Sequence, residues 1–274
     1  MDKSEWQGRL GDKWAAEWKR TDRSFASLTD RLLGAASAGK FFRALDVGCG
    51  AGELSLALAR GHAGAEVHGI DISPELIRVA TERGAHLHNV SFECANAATW
   101  HREFWAPELV VSRHGVMFFE DPPAAFGHLA QIAARDARLV FSCFRTLEEN
   151  IWADRIDAFL PAHARGPKSG PGVPGPFAFA DPAHVQGILM AGGWSHVAFE
   201  PVDYAYVAGT GEDPVSDALS YFLAIGPAAR AAAQLADNEK AEFIAKLRRF
   251  LENHRDGNLV ALKASAWIVS ARKG

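Results

Sequence analysis

The sequence predicts an α/β protein whose core is a seven-stranded, mostly parallel, doubly wound sheet with an inserted helical cap. Two observations support this. Short apolar runs alternate with helical patterns between residues 41 and 146, and a glycine-rich turn joins the first run to the first helix. After residue 146 longer helical stretches replace this alternation. We therefore expect four segments, namely an N-terminal helical segment at 1–40, the sheet core at 41–146, a cap insertion with a loop at 147–180, and the remainder of the core at 181–274 with a second cap insertion at about 207–262.

The core elements follow from local residue patterns. Ser73 followed by Pro74 is typical of a helix start, and Gly84 suits the exit of the same helix. The apolar runs predict strands at 44–48, 66–71, 90–95, 108–113 and 138–144, with helices between them at 53–61, 73–84 and 123–135. Alternation at this spacing favours a parallel sheet covered on both faces.

The rest of the chain is more helical. The proline- and glycine-rich stretch GPKSGPGVPGP at 166–176 is either a plain connector or a mobile lid over a site. Around it the patterns predict helices at 147–165, 181–193 and across 214–254, and strands at 196–206 and 265–272.

Composition excludes several classes of protein. The formal net charge is −4 without a long basic run, which argues against a nucleic-acid partner. No apolar stretch approaches the roughly 20 residues that span a bilayer. The three cysteines are widely spaced and form no CxxC pair, so we expect free thiols, no structural metal and a reducing compartment. The sequence predicts a cytoplasmic enzyme.

The stretch LDVGCGAGELSLALA at 45–59 places Gly48, Gly50 and Gly52 directly after the first strand. Dinucleotide sites use the spacing G-x-G-x-x-G, with the pyrophosphate on the following helix N-terminus. Counted from Gly48, the third position is Glu53, whose carboxylate would repel a pyrophosphate. With Asp46 at the strand end, the pattern argues against NAD or FAD. It suits a ligand with an ammonium and a sulfonium, as in S-adenosylmethionine (SAM).

Later strand ends carry matching polar groups. Asp71 ends the second strand and can accept hydrogen bonds from both hydroxyls of a ribose. The Asn96 side-chain oxygen can accept from an adenine amino group, and the Ala97 N–H can donate to the adenine ring. Ser112 and Arg113 end the fourth strand and would face the methionine part. Asp71 and Asn96 could individually be turn residues that cap strand ends, but all these groups meet at the ligand-binding edge of such a sheet and together predict SAM binding.

These motifs resemble those of the class I (Rossmann-like) SAM-dependent methyltransferases: LDVGCGAGELSLALA their first motif, GIDIS the acidic end of their second strand and ECANAA their third. The resemblance extends to a UbiE-like subgroup of small-molecule methyltransferases. Its marks in this sequence are GDKW (11–14), SRHGVMFFEDP (112–122), GPFAFADP (175–182), IGPAAR (225–230) and AWIVSAR (266–272). The resemblance covers nearly the whole chain.

The resemblance implies methyl transfer from SAM to a small-molecule acceptor, with S-adenosylhomocysteine as product. It implies cofactor contacts from Asp46, Gly48, Cys49, Gly50, Asp71, Ile72, Asn96, Ala97, Ser112, Arg113 and Trp14. The chain departs from the pattern at two positions. Asn96 stands where aspartate is common, and His114 stands where the subgroup has an apolar or aromatic residue.

Methyl transfer is an in-line displacement at a carbon on a sulfonium, so positioning supplies much of the rate and a base is needed only if the nucleophile loses a proton. His114 is the candidate base, and a packed core histidine is the alternative. Trp14 and Trp18, one helical turn apart, either close over the cofactor or pack against the cap. Aromatic residues of the inserted segments favour an apolar or aromatic acceptor.

Two other functions fit the same cofactor pattern. One is a SAM enzyme that transfers no methyl group, such as a cyclase or decarboxylase, and the other is a non-catalytic SAM-binding protein. Consumption of SAM in the presence of an acceptor distinguishes them from a methyltransferase.

Overall fold

A computed structural model describes residues 3–165 and 172–274. Its strands are β1 (Arg43–Val47), β2 (Glu66–Asp71), β3 (Val90–Cys94), β4 (Leu109–Arg113), β5 (Arg138–Phe144), β6 (Trp194–Thr210), β7 (Arg255–Asp256) and β8 (Leu259–Lys273). They form one sheet in the order β3-β2-β1-β4-β5-β8-β6, with the two-residue β7 paired to β8. Strands β1 to β5 are parallel, and β8 runs antiparallel to both β5 and β6. The predicted mostly parallel α/β sheet is confirmed.

Four of the helices begin at a capping side chain followed by a proline. The side chains of Ser73, Asp121, Asp181 and Asp213 each accept from a backbone N–H of the helix that follows, and a proline stands in its first turn. The helices are α1 (Lys3–Trp6), α2 (Arg9–Ala16), α3 (Trp18–Ser24), α4 (Ala26–Ala36), α5 (Glu53–Gly61), α6 (Pro74–Gly84), α7 (Pro122–Ile132), α8 (Ile151–Phe159), α9 (Pro182–Ala191), α10 (Pro214–Ala224), α11 (Gly226–Ala232) and α12 (Asp237–Glu252).

The sheet is covered on both faces, as its uninterrupted apolar strands require. Leu45, Val110 and Phe141 from three neighbouring strands are completely buried. Right-handed crossovers place α5 and α6 on one face and α7 on the other. Helix α4 contacts α5, and α9 contacts α7. This arrangement brings the carboxyl ends of β1, β2 and β4 to one edge, which we call the carboxyl edge.

The last two long strands extend further than the sequence analysis predicts. Strand β6 continues to Thr210 and β8 begins at Leu259, so the helices between them occupy a shorter stretch than the expected 207–262. Ala264 and Leu262 of the extended part of β8 pair with Tyr204 and Tyr206. Strand β6 packs against α10, whose Tyr221 and Phe222 rings contact Tyr206.

Two expectations fall on the less regular parts of the chain. The helix predicted at 147–165 is shorter, since α8 ends at Phe159 and only a 3₁₀ turn at Ala162–Ala164 follows. Of the predicted connector or lid at 166–176, residues 166–171 lie outside the described part. Within 3–165 and 172–274, every helix is too short or too polar to cross a membrane.

Candidate functional site

The glycine-rich turn after β1 has a left-handed backbone at all three glycines, with φ of +64° at Gly48, +56° at Gly50 and +86° at Gly52. A Cβ atom on Gly48 would lie 2.9 Å from the Cα atom of Gly115, and one on Gly52 would lie 2.9 Å from the Phe92 ring. Packing therefore requires glycine at these two positions. A Cβ atom on Gly50 would meet nothing within 4 Å. The turn thus presents open backbone at Gly50.

Asp71 at the end of β2 joins this turn to the next strand. Its carboxylate accepts from the Gly50 N–H at 2.9 Å and from the Ser73 N–H at 2.9 Å. Burial raises the pKa of the Asp71 carboxyl, and the backbone donors oppose that effect. The carboxylate therefore lies beside the open backbone of Gly50, with lone pairs left for a further donor.

Asp46 lies beneath the same turn and is 1% exposed. One of its oxygens accepts from the Ser55 hydroxyl at 2.6 Å, and the other has no hydrogen-bond partner among the described residues. Burial raises the pKa of the Asp46 carboxyl to about 6, with Ser55 and Arg113 opposing the rise. A buried carboxylate that lacks one partner is suited to a cationic group, as the sequence analysis expects.

The raised pKa of Asp46 makes the free energy of unfolding depend on pH. Its folded pKa lies above the ordinary value, so the native state holds the proton more tightly and loses stability as the pH rises from about 4 to about 6. The free energy of unfolding of Asp46→Asn, measured relative to that of the native protein, should therefore rise by about 3 kcal/mol across this pH range. Urea unfolding of both proteins without ligand at pH 4, 5, 6 and 7 measures this. A stability difference that stays constant with pH would contradict it.

Glu53 does not carry the uncompensated charge that the sequence analysis assumes. Its carboxylate pairs with Arg83 of α6 at 2.5 Å, and Arg83 also donates to the Ala51 carbonyl at 2.7 Å. The argument against a pyrophosphate from Glu53 is therefore weakened. Asp46 still disfavours a pyrophosphate, since no arginine among the described residues contacts its carboxylate directly.

The other predicted residues of β1 to β3 lie at the same edge. Cys49 is buried in the glycine-rich turn, and its N–H donates to the Ile70 carbonyl at 3.0 Å. The Ile72 carbonyl accepts from the Cys94 thiol at 3.6 Å. Asn96 uses its side-chain oxygen in a turn, accepting from the Ala98 N–H at 3.2 Å, and Ala97 between them is buried.

Ser112 and Arg113 at the end of β4 take different roles from each other. The Ser112 hydroxyl donates to the Val47 carbonyl at 2.7 Å and accepts from the Gly115 N–H at 3.1 Å, which joins the ends of β4 and β1. Arg113 instead reaches the N-terminal helices and donates to Asp22 at 2.8 Å. Ser112 thus shapes the turn through buried hydrogen bonds, and Arg113 anchors α3.

Asp22 of α3 is a site residue that sequence reasoning missed. Its two oxygens lie 2.8 Å from Arg113 and 3.0 Å from Arg83, and all three side chains are less than one-fifth exposed. A single aspartate on a polar helix gives no sequence signal for this role, because its partners are 61 and 91 residues away. The pair of arginines fixes α3 over the carboxyl edge.

Asp22→Ala should lower the free energy of unfolding by about 2–3 kcal/mol, because it leaves two buried guanidinium groups without their shared counter-ion. Glu53 remains as a partner of Arg83, which keeps the loss below that of an isolated pair. The matched control is Glu200→Ala, which removes an ion pair to Arg31 whose side chains are at least half exposed. It should cost less than about 1 kcal/mol in the same urea titration. Equal losses in the two variants would contradict the role of Asp22.

Trp14 and Trp18 lie against the carboxyl edge. They pack on a small apolar cluster formed by Ala15, Ala51, Leu76 and Val79, which includes a residue of the glycine-rich turn and two of α6. The Arg83 guanidinium lies 3.8 Å from the Trp18 ring centroid. This placement favours closure over the edge and not packing against the cap. Contact between Trp14 and a cofactor stays a prediction.

His114 follows β4 with a left-handed φ of 63°, and its N–H donates to the Ser142 carbonyl at 3.2 Å. Its ring stacks on Phe144, with centroids 4.0 Å apart, and both ring nitrogens are buried without a partner among the described residues. Burial and the charge of Arg113 lower the pKa of His114 to about 3. Such an imidazole takes up a proton poorly near neutral pH, so this environment favours the packed core histidine over the candidate base.

Comparisons with known proteins agree with this geometry. A family model described as a methyltransferase domain matches residues 18–169. Malonyl-[acyl-carrier protein] O-methyltransferase of Halorhodospira halophila is 29% identical over 133 residues, which is 45% of each chain. Trans-aconitate 2-methyltransferase of Methylobacterium radiotolerans is 36% identical over 91 residues, which is 32% of this chain and 34% of that one. The chain thus matches less than half the length of these relatives.

Two solved structures show the same fold. YcgJ from Bacillus subtilis aligns over 90% of this chain and 98% of its own, with a TM-score of 0.54 and 15% identity. Phosphoethanolamine N-methyltransferase 2 from Haemonchus contortus, solved in complex with S-adenosyl-L-methionine, aligns over 100% of this chain and 60% of its own, with a TM-score of 0.56 and 16% identity.

Proposed function

Because the chain belongs to the methyltransferase domain family, we propose that it transfers the methyl group of SAM to a small-molecule acceptor by in-line displacement and releases S-adenosylhomocysteine. The observation that carries this proposal is the open backbone of Gly50 between two acidic side chains. Asp71 lies beside it and Asp46, with an unpartnered oxygen, lies beneath it. The donor set suits a ligand with a ribose and a cationic end.

The residues of the carboxyl edge fit SAM part by part. Asp71 would accept from the ribose hydroxyls while it holds the Gly50 N–H. Asp46 would face the cationic methionine end through its unpartnered oxygen. Asn96 and Ala97 would bind the adenine, and Trp14 would cover the turn. When bound, SAM supplies an electrophilic methyl carbon on a sulfonium.

The protein contributes position and a dry environment to this reaction. Positive charge disperses as the methyl group moves, so an apolar site favours the transition state, and alignment of the two reacting atoms supplies up to about 7–11 kcal/mol in well-oriented systems. The N-terminal helices and the aromatic residues around His114 exclude water from the edge. The residues described here therefore act by orienting the reactants.

The proposal extends to partner and location. The acceptor is apolar or aromatic, in keeping with the uncharged rings that flank the end of β4. A nucleic-acid substrate is disfavoured by the net charge of −4. The free thiols of Cys49, Cys94 and Cys143 suit a reducing compartment such as the cytoplasm.

Incubation with SAM and pools of small metabolites, followed by mass spectrometry of S-adenosylhomocysteine and of methylated products, tests the proposal. We expect S-adenosylhomocysteine to form only when both protein and an acceptor are present, with an acceptor that gains one methyl group. SAM that is bound and never consumed across broad pools would favour a binding protein. Conversion of an acceptor without loss of SAM would favour a cyclase or decarboxylase.

A further inference from the structure

An aromatic cluster lies next to the glycine-rich turn, on the sheet face that α4 covers. His114 belongs to this cluster and directly precedes Gly115, the residue that packs on Gly48. The cluster consists of uncharged rings from β5, α8, β6 and α10, from the junction of α3 and α4, and from the β4 end, namely Phe25, His114, Phe144, Trp152, Tyr204, Tyr206, Tyr221 and Phe222. Its position beside the turn places it where the proposed function needs an acceptor.

Part of the sheet floor beneath this cluster consists of small and polar residues. Ala266 of β8 pairs with Phe144 of β5, and Ala264 pairs with Tyr204 of β6. Residues paired across antiparallel strands share a face, so two alanines lie between the Phe144 and Tyr204 side chains. Ser142, two residues before Phe144 on the same face, is completely buried. Ala266 and Ser142 also pair with the larger Val202 and Ile268, so these small residues lie between large ones on the floor.

Three polar side chains of the cluster are buried without a hydrogen-bond partner among the described residues. They are both ring nitrogens of His114, the Tyr204 hydroxyl and the Ser142 hydroxyl. His114 is 9% exposed and Tyr204 is 7% exposed. Buried polar atoms in folded proteins are almost always paired, so three unpaired groups in one cluster indicate a missing partner.

Phe25, at the junction of α3 and α4, fills the centre of the cluster. Its ring centroid lies 5.1 Å from that of His114, 6.5 Å from that of Tyr204 and 5.5 Å from that of Tyr206. A phenylalanine ring offers no N–H or O–H donor and no lone pair, so it cannot satisfy the polar groups around it. A ring of similar size that carried a hydroxyl could satisfy them in the same place.

The charges around the cluster are already balanced. Arg113, whose guanidinium carbon lies 5.6 Å from the Phe25 ring centroid, is paired with Asp22. His114 is neutral near pH 7 and offers one donor and one acceptor nitrogen. A charged acceptor would therefore enter an apolar site without a counter-ion, at a large desolvation cost.

We propose that this cluster is the acceptor site and that it takes a neutral hydroxylated aromatic molecule, whose ring replaces that of Phe25 and whose oxygen bonds His114 and Tyr204. This inference rests on the proposed function, because it assigns the second substrate of the same reaction. It names the chemical class of that substrate and two residues that recognise it.

Ligand-observed NMR titrations of the protein saturated with S-adenosylhomocysteine test this proposal with three probes on one ring system. The first, 2-naphthol, carries a hydroxyl group. Naphthalene carries no polar group, and 2-naphthoate carries a negative charge. We expect 2-naphthol to bind most tightly. Tyr204→Phe should weaken 2-naphthol about five- to tenfold and leave naphthalene unchanged, as the loss of one hydrogen bond requires.

Tyr206→Phe is the matched control, since Tyr206 is two residues away in the same cluster and its hydroxyl already bonds Tyr221 at 3.4 Å. It should change 2-naphthol binding less than twofold. His114→Phe, which keeps the stacking on Phe144, should weaken 2-naphthol in the same way as Tyr204→Phe.

Three results would overturn the proposal: no probe binds, 2-naphthoate binds best, or Tyr204→Phe and His114→Phe leave 2-naphthol binding unchanged. Binding of S-adenosylhomocysteine is measured first in the same samples. If it binds and any of these results follows, the acceptor site is wrong and the proposed function stands. If S-adenosylhomocysteine does not bind, the proposed function fails and the acceptor assignment fails with it.

Discussion

Gly50→Ala is expected to abolish SAM binding at concentrations that saturate the native protein, while the variant stays folded. The left-handed φ of +56° at this position costs an alanine about 1–2 kcal/mol, and its Cβ atom would touch no protein atom within 4 Å. The methyl group would instead occupy the open side of the turn, where the backbone faces the proposed cofactor. Isothermal titration calorimetry measures the binding, and thermal unfolding measures the folded state.

Gly257→Ala is the matched control for this prediction. Gly257 has a φ of +57°, and a Cβ atom on it would also meet nothing within 4 Å. It lies in the turn between β7 and β8, far in the sequence from the residues of the carboxyl edge. The two alanines impose the same backbone strain, so Gly257→Ala should lose similar stability and keep full SAM affinity. If Gly50→Ala binds SAM as Gly257→Ala does, the cofactor does not lie over Gly50.

Asp71→Asn is expected to weaken SAM binding about 100-fold. The substitution removes the negative charge from two proposed hydrogen bonds to the ribose, each of which is stronger with a charged acceptor by about 1–2 kcal/mol. The two Asp71 oxygens accept from the Gly50 N–H and the Ser73 N–H, and the substitution replaces one of them with an NH2 group that donates. Some loss of thermal stability should therefore accompany it. Calorimetric titration with SAM and with S-adenosylhomocysteine should show the same loss for both, since they share the ribose.

Asp213→Asn controls for the loss of an aspartate that bonds the backbone. Asp213 accepts from the Ser216 N–H at 3.0 Å at the start of α10, and it takes no part in the carboxyl edge. This variant should bind SAM within twofold of the native protein. A loss below about threefold in Asp71→Asn would contradict the ribose contact, because a single charge-assisted hydrogen bond already exceeds it.

The sequence allowed the sheet to be predicted and indicated where the candidate cofactor site lies, because both depend on local patterns. Parallel strands bring their carboxyl ends to one edge, so polar residues at those ends, such as Asp46 and Asp71, must meet there. The glycine spacing adds a backbone requirement that the structure confirms at Gly48, where a neighbouring backbone leaves no room for a side chain.

The ion pairs over this edge could not be predicted from the sequence. Glu53, Arg83 and Asp22 are far apart along the chain, and each reads as an ordinary charge on a helix. Their pairing depends on how α3 and α6 pack, which no local pattern specifies. This is why the predicted repulsion at Glu53 overestimated the free charge on that carboxylate.

The sequence predicted only the general character of the aromatic cluster that we propose as the acceptor site. The aromatic residues of the inserted segments indicate an apolar pocket, but their shared position depends on the extension of β6 and β8. The stretch Asp203-Tyr204-Ala205-Tyr206 lies within the predicted strand at 196–206, whereas Ala264 and Leu262, which pair with the two tyrosines, lie outside the predicted strand at 265–272. The unpaired state of His114 and Tyr204 is visible only in three dimensions, because it depends on which side chains surround them.

The central claim is that SAM binds at the carboxyl edge with its ribose on Asp71 and its methionine end over the glycine-rich turn. A crystal structure of the complex with S-adenosylhomocysteine tests it most directly. The account predicts both ribose hydroxyls within hydrogen-bonding distance of the Asp71 carboxylate and the amino-acid end beside Gly50. A ligand bound elsewhere, or one whose ribose bonds another side chain, would contradict it.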